Sequence, residues 1–323
     1  MNNKIDASQY VTLSQPIAMF GMYLADHIED YSDLLLVTAD MAVNASLDRL
    51  IYQHPQNFIN VGIAEQNMIG VAAGLASEGF VPICIAQASF ISMRAFEMNR
   101  QYLGYMKHNV KLIGLNSGFL LQFMGNTHYC TEDLSIMRAI PGMIVLSPAD
   151  AIEAVLALDA ALKSDKPVYI RLTGNSNLPT VYKESFEYQI GIDNILKDGN
   201  QIAIFATGSM VGISLGTAKI LEERYGISTA VIDVHTIKPI DIGTIKQYVD
   251  VKLFVSVEEH STLGGLGSSI ADYISQFQKY PPLLKLGVHD TFSSPGDYQY
   301  LLKQHRLSQE LLVEDILKMY RTI

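Results

Sequence analysis

Cysteine is scarce in this chain of 323 residues: two occur, Cys84 inside "VPICIA" and Cys130 in "THYCTE". Two cysteines exclude a disulfide framework and a cysteine-built zinc site, so both are read as reduced thiols. Charge is scarce too, at 17% of residues, and it leans acidic, with 23 Lys and Arg against 33 Asp and Glu. A net charge of -10 without any basic cluster excludes a phosphate-backbone binder. No apolar run approaches the roughly 20 residues that a membrane span needs. The opening "MNNKIDASQY" also lacks the charged-then-apolar layout of an export signal. The expectation is a soluble, cytoplasmic protein with neither nucleic-acid nor membrane partners. Apolar residues, by contrast, are plentiful at 49%, and the length suits two domains, each with its own core.

Short apolar runs alternate with longer helical stretches. "DLLLVTAD", "FVPICIA", "NVKLIGLN", "GMIVLSPAD" and "PVYIRLTG" are continuous rather than alternating in hydropathy, the pattern of strands covered on both faces. Parallel sheet follows from that pattern. After Arg171 the stretch "GNSNLPTVYKESFEYQIGIDNILKDGN" is polar and rich in turn residues. A second series then runs through "NQIAIFATGS", "STAVIDVHTI", "VKLFVSVEEH" and "PLLKLGVHD", with helical segments between. The expected fold class is α/β: two three-layer α/β/α domains with mostly parallel sheets, spanning 1–180 and 197–323, joined by a connector over 181–196.

One stretch stands apart. "FINVGIAEQNMIGVAAGLASEGF", Phe58 to Phe80, holds a single ionisable side chain in its first 20 residues, Glu65. A carboxylate opening an apolar, glycine-rich helix is costly to bury unless something bonds to it. The helix dipole alone favours an acid there by about 0.3 to 1 kcal/mol. The carboxyl end of a parallel strand is equally where ligands gather, and the small residues at 70, 72, 73, 74 and 76 allow a backbone or flat ligand to come close. Position and composition leave both explanations open.

Four blocks narrow the choice: "NVGIAEQNMIGVAAGLASEGFVPI", "ASFISMRAFEMNRQ", "THYCTEDLSIMRAIPGMIVLSPAD" and "EEHSTLGGLGSSIADYI". In this order they resemble the thiamine diphosphate enzymes of the transketolase family, over Asp33 to Pro295. The match is to the C-terminal half of full-length members. Their GDG motif and downstream metal-binding asparagine do not occur, "KDGN" being the nearest string. The resemblance therefore implies the C-terminal subunit of a split transketolase, made of a pyrimidine-binding domain and the family's C-terminal domain. It also implies thiamine diphosphate shared with a separate N-terminal subunit in an α2β2 heterotetramer, with the Mg2+ ligands coming from that partner. The implied reaction moves a two-carbon ketol unit from a ketose donor to an aldehyde acceptor.

The same resemblance assigns roles. Glu65 bonds the aminopyrimidine nitrogen and favours the imino form that activates the cofactor, work that burial without a cationic partner assists by raising the carboxyl pKa. Phe90, Met93 and Phe96, at i, i+3 and i+6, are expected on one helix face, with the aromatic rings packing the pyrimidine. Arg94 resembles an arginine of the split forms, although a solvated ion pair explains it as well. His128 matches a histidine that meets the donor substrate or steers protons, which suits imidazole near neutral pH. Asp40 and Met41, in "TADMA", resemble a strand end that helps build the cofactor pocket, while a helix N-cap is the plainer role for Asp40. Asn116 and Arg171 are expected to contact substrate.

Departures from the family pattern matter as well. Gly174 stands where sugar-phosphate transketolases place a phosphate-binding arginine, and Asn116 and Met124 replace polar groups of the family's sugar loop. A pocket lined by Phe119, Leu120, Leu121, Phe123 and Met124 would desolvate a phosphosugar poorly. The expected acceptor is less phosphorylated or more apolar than a pentose phosphate. "GGLGSS" lacks the spacing of a dinucleotide fingerprint, and Glu258, Glu259, His260 and His289 are read as a strand end and its neighbour rather than metal ligands. Two rival classes stay open: the β subunit of a 2-oxoacid dehydrogenase, and a non-catalytic partner retaining the fold.

Overall fold

A computed structural model of the chain describes residues 16–174 and 179–323. The opening decapeptide and positions 175–178 of the polar stretch lie outside the described residues. In chain order the strands are β1 (Leu34–Thr38), β2 (Phe58–Asn60), β3 (Val81–Gln87), β4 (Lys111–Leu115), β5 (Ile144–Leu146), β6 (Val168–Arg171), β7 (Asn194–Lys197), β8 (Ile202–Ala206), β9 (Thr229–Asp233), β10 (Thr236–Lys238), β11 (Leu253–Ser261) and β12 (Leu283–Val288). Most of them coincide with the continuous apolar runs, since only a strand packed on both faces can be apolar throughout.

Two sheets result, ordered β10-β5-β6-β4-β3-β1-β2 and β12-β11-β8-β9-β7. Every pairing is parallel except β10 on β5 and β7 on β9. The α/β expectation with mostly parallel sheets is thus met. Two details escaped it. β7 begins at Asn194, inside the stretch expected to be connector, and β10 leaves the second unit to close the edge of the first sheet.

Helices cover both faces. The Ala151–Leu162 helix starts where Asp150 accepts from the Glu153 N–H, an N-cap, and Met210–Tyr225 stops at Gly226, whose φ of 66° is the left-handed helix end that glycine adopts cheaply. One buried cluster joins Val37, Met68 and Met137 of the first unit to Phe205, Phe254 and Ile270 of the second. The core is therefore continuous across the two sheets. The Asp133–Ala139 helix is also tied to β10, because Lys238 Nζ donates to the Arg138 and Ile140 carbonyls at 2.8 and 2.6 Å and so satisfies carbonyls that a helix end leaves free. Among the described residues, no helix is long and apolar enough to cross a membrane.

In the first sheet β1 pairs with β2 on one side and β3 on the other. Strand order reverses there, and the carboxyl ends of β1 and β3 open the kind of crevice in which open α/β sheets bind ligands.

Candidate active site

The crevice begins where β1 ends. Asp40 takes a left-handed φ of 60°, tolerable for Asp because its short side chain can bond locally. Its N–H donates to Asn60 Oδ1 and its Oδ1 accepts from Asn60 Nδ2, both at 3.1 Å. The Gly62 N–H donates to the same Asn60 oxygen at 2.9 Å. Asp40 caps no helix, the next one starting at Asp48. Met41 follows with its N–H on Thr38 Oγ1 at 3.0 Å and its side chain against the core.

Glu65 is the first residue of the Glu65–Ser77 helix and is 3% exposed. The expectation that its carboxylate lacks a cationic partner is corrected: Arg94 Nη1 donates to its Oε2 at 2.8 Å. The other carboxylate oxygen accepts no hydrogen bond among the described residues. The Arg94 side chain is 46% exposed, and its guanidinium carbon lies 3.9 Å from the centroid of the Phe90 ring. A Cβ at Gly70 or Gly74 meets nothing within 4 Å among the described residues, so neither is required for packing inside this chain.

The face expected from Phe90, Met93 and Phe96 does not form, because the backbone does not wind at 3.6 residues per turn. Phe90–Arg94 is π-helix, Ala95 interrupts it, Phe96–Met98 is a single α turn, and Asn99–Tyr105 is π-helix again. Buried polar side chains take up carbonyls along this segment, Ser92 Oγ on Ala88 and Asn99 Nδ2 on Ile91, local bonds that compete with the α ladder. Such bulges leave side chains out of α register. Phe90 is half-buried toward His128, Met93 is exposed, and Phe96 packs against the core.

His128 meets the edge of Phe90 with ring centroids 5.5 Å apart, and its Nδ1 lies 2.9 Å from Thr127 Oγ1. It sits on the loop that leaves β4. Asn116, with φ of 57°, donates to Gln87 Oε1 at 3.2 Å, and a bridge between Gly118 and Cys130 closes the loop's base. Gln87 and Ser89 were missed from the sequence. Both are buried, and Gln87 Nε2 and Ser89 Oγ have no partner among the described residues. Two polar residues ending the apolar run "VPICIAQAS" were the available signal, since a buried polar group normally finds a partner.

The second unit holds this loop in place. Asn126 and Ser293 exchange hydrogen bonds at 2.8 and 3.0 Å, the Phe119 N–H donates to Glu259 Oε1 at 2.6 Å, and the Phe119 ring stacks on His305 with centroids 5.0 Å apart. Phe119 is fully buried and so cannot line a substrate pocket as expected, whereas Phe123 and Met124 are exposed.

Arg171 is likewise corrected. It is 1% exposed, its Nε bonds Asp133 at 2.9 Å, and its Nη2 donates to the Cys130 and Glu259 carbonyls at 3.1 and 2.8 Å. Tyr169 OH donates to the same Asp133 at 2.7 Å. A guanidinium so enclosed is a structural tie and not a substrate ligand. Glu258 accepts the Leu266 and Gly267 N–H groups at the start of a helix. Glu259, its carboxyl pushed up by burial, also accepts from Ser209 and Tyr298. Both cysteines are buried free thiols, and burial raises both pKa values, so neither is a ready thiolate. A cavity of about 530 Å³ at the seam is lined in part by Glu132, Ser135, Ser261 and His289, and by none of Asp40, Glu65, Phe90 and His128.

The crevice thus gathers a buried carboxylate with a spare acceptor oxygen and an aromatic face, while near the end of β3 lie an enclosed amide N–H and an enclosed hydroxyl without a partner among the described residues. That set fits a flat heteroaromatic ring carrying both donors and acceptors, such as an aminopyrimidine.

Comparison with known proteins points the same way. Residues 16–179 match the family described as "Transketolase, pyrimidine binding domain", and residues 191–311 match "Transketolase, C-terminal domain". A 6-deoxy-6-sulfo-D-fructose transketolase subunit from Clostridium sp. strain MSTE9 is 35% identical over 93% of this chain and 96% of that protein. An apulose-4-phosphate transketolase subunit from Actinobacillus succinogenes is 34% identical, over 87% and 91%. A solved structure described as a split gene transketolase, inactive beta4 tetramer, is 33% identical with a TM-score of 0.85, over 94% of this chain and 97% of that one.

Proposed function

The chain belongs to the transketolase family, and from that premise we propose that it is the C-terminal subunit of a split transketolase, active only with a separate N-terminal subunit. Family proteins use thiamine diphosphate, which when bound supplies a thiazolium carbon able to carry a two-carbon ketol unit from a ketose donor to an aldehyde acceptor. This chain's residues fit the aminopyrimidine end of that cofactor. The Mg2+ and diphosphate ligands are assigned to the partner, in an α2β2 assembly.

Glu65 would take the hydrogen bond of the ring nitrogen and share its proton there, the spare oxygen being the acceptor. Phe90 would offer its ring face, with Met93 beside it and Phe96 supporting from the core side. Asp40 and Met41 would bound the pocket at the end of β1. His128, lodged against Phe90, would meet the substrate and hold or pass a proton, with Asn116 bonding substrate hydroxyls. Two relatives carry names that specify a sulfonated fructose and a phosphorylated apulose, so substrates beyond the common pentose phosphates occur among close kin. With Arg171 enclosed and Phe123 and Met124 exposed on the same loop, the acceptor favoured here is less phosphorylated or more apolar than a pentose phosphate.

The observation that carries this reading is the buried Glu65 carboxylate, one oxygen held by Arg94 and the other free to accept, opening a helix beside Phe90. It is tested by calorimetry with thiamine diphosphate and Mg2+ on the chain alone, on the chain mixed with its N-terminal subunit, and on the mixture carrying Glu65→Gln. Tight binding is expected only in the mixtures, with Glu65→Gln cutting ketol transfer by about 10² to 10⁴-fold. A mixture that binds no cofactor, or full activity in Glu65→Gln, sinks the assignment.

A further inference from the structure

The Arg94 guanidinium combines three properties: it is flat, it donates N–H bonds, and it lies on two groups of the crevice at once. It faces the Phe90 ring at 3.9 Å and donates to Glu65 Oε2 at 2.8 Å. An aminopyrimidine held by this chain needs the same pair, an aromatic face to stack on and the Glu65 carboxylate to bond. Stacking of a guanidinium on a ring and a charge-assisted bond to a carboxylate are each favourable. The Gln66 side chain further steadies the arginine by donating to its carbonyl at 3.2 Å.

We propose that Arg94 is a built-in plug, its guanidinium occupying the Phe90 and Glu65 subsite in the empty subunit and withdrawing when the cofactor's aminopyrimidine enters. This rests on the transketolase assignment above. Three features make withdrawal feasible. The Arg94 side chain is 46% exposed, so the freed guanidinium can be hydrated. The π-helix ends at Arg94, and Ala95 beside it departs from helical geometry, so the side chain does not sit in the middle of a rigid turn. Glu65 meanwhile stays buried and keeps its place at the helix start, giving up the Arg94 donor at Oε2 as the ring nitrogen bonds the other oxygen.

The plug has a function in a split enzyme. A buried carboxylate without any partner would destabilise the lone subunit, and a bare apolar shelf would invite non-specific contacts. Arg94 satisfies both until the partner and cofactor arrive. The cost is a binding affinity lowered by the fraction of molecules in which the subsite is open.

Calorimetric titration of thiamine diphosphate, with saturating Mg2+, into the assembled complex tests this for wild type, Arg94→Met and Arg94→Lys. The methionine keeps an apolar stem but neither charge nor donors, and the lysine keeps charge without a flat face. Arg94→Met is expected to bind about tenfold more tightly, as removal of an internal competitor requires, with Arg94→Lys in between. Binding by Arg94→Met that equals or falls below wild type overturns the plug and makes Arg94 a lasting support of Glu65. Arg94→Lys matching wild type while Arg94→Met tightens also overturns it, since plain charge repulsion would then be the cause. Absence of binding in the wild-type complex removes the transketolase assignment together with the plug, and is thereby distinguished from a failure of the plug alone.

Discussion

The crevice and the seam between the two units are both rich in polar and charged side chains, yet they are built on opposite terms. At the seam, the Arg171 and Asp133 ion pair, Tyr169, Glu258 and Glu259 are buried and bonded on several sides. At the crevice, Asp40 and Asn116 hold left-handed backbone, Gln87 Nε2 and Ser89 Oγ lack partners among the described residues, and Glu65 has a spare oxygen beside a half-exposed arginine. Satisfied burial builds structure, whereas strain and unmet hydrogen bonds at a crevice mark where a ligand is to complete them; away from any crevice, Asp193, Asp233 and His235 carry groups unmet among the described residues too, in an acidic cluster that holds protons instead. Residue type does not separate the two regions. Arg171 and Arg94 both pair with an acid, and of the two only Arg94 reaches solvent, at 46% against 1% exposure.

The largest effect that would break the comparison lies in the seam. Arg171→Met leaves Asp133 buried with only the Tyr169 hydroxyl and nearby groups for company, and loss of one partner of a buried pair costs about 3 to 5 kcal/mol. Urea unfolding of the chain should show that loss. A change below about 1 kcal/mol would mean that the seam tolerates rearrangement as the crevice does.

A second test uses pH. Where the connector joins the seam, Asp233 accepts from Tyr182 OH at 2.6 Å, and its carboxyl is buried beside that of Glu153, so that a proton on one of the two relieves their repulsion. Burial pushes Asp233 up to about 7 from 3.8, and burial together with the Asp233 charge pushes Glu153 well up. Asp193 nearby is raised by burial and by Asp241 and Asp233, while burial lowers His235 to about 4. An acid whose folded pKa lies above its unfolded one binds more protons when folded, so its stabilisation is complete below about pH 4 and is lost as pH rises through about 7. His235 contributes the opposite slope between about pH 4 and 6.5, because there the unfolded chain binds more protons. Comparing wild type with Asp233→Asn cancels that term. The variant is expected to lose less stability than wild type between pH 4 and 7, measured by urea midpoints. Parallel profiles would place the proton elsewhere in the cluster.

The comparison also explains what the sequence could disclose. Continuous apolar runs announced parallel strands, and an isolated carboxylate in an apolar stretch announced Glu65, because both are local signals. The hidden features depend on distance or on winding. Asp133 and Arg171 are 38 residues apart, so nothing near Arg171 marked it as enclosed. The π-helix at Phe90–Arg94 spoiled an argument from i, i+3 and i+6 spacing that assumes 3.6 residues per turn. The same winding accompanies an Arg94 aligned with both Phe90 and Glu65, the contact on which the plug depends. β10 crossing to the first sheet is likewise a tertiary choice that "STAVIDVHTI" alone does not reveal.

The smallest effect is the most discriminating. Asn60 carries three hydrogen bonds for the crevice, two with Asp40 and one from Gly62, at exposed positions. Water can replace bonds lost there, so Asn60→Ala should cost only about 0.5 to 1.5 kcal/mol in stability. It would nevertheless free Asp40 from a φ of 60° that the Asn60 bonds help to hold, and a pocket wall that must be ordered on binding charges that entropy to the ligand. The assembled complex of Asn60→Ala should therefore bind thiamine diphosphate several-fold more weakly while unfolding almost as wild type does. A stability loss near that of Arg171→Met, with binding unchanged, would show the crevice rim to be scaffold like the seam, and the distinction between satisfied and waiting polar groups would fail where it is easiest to measure.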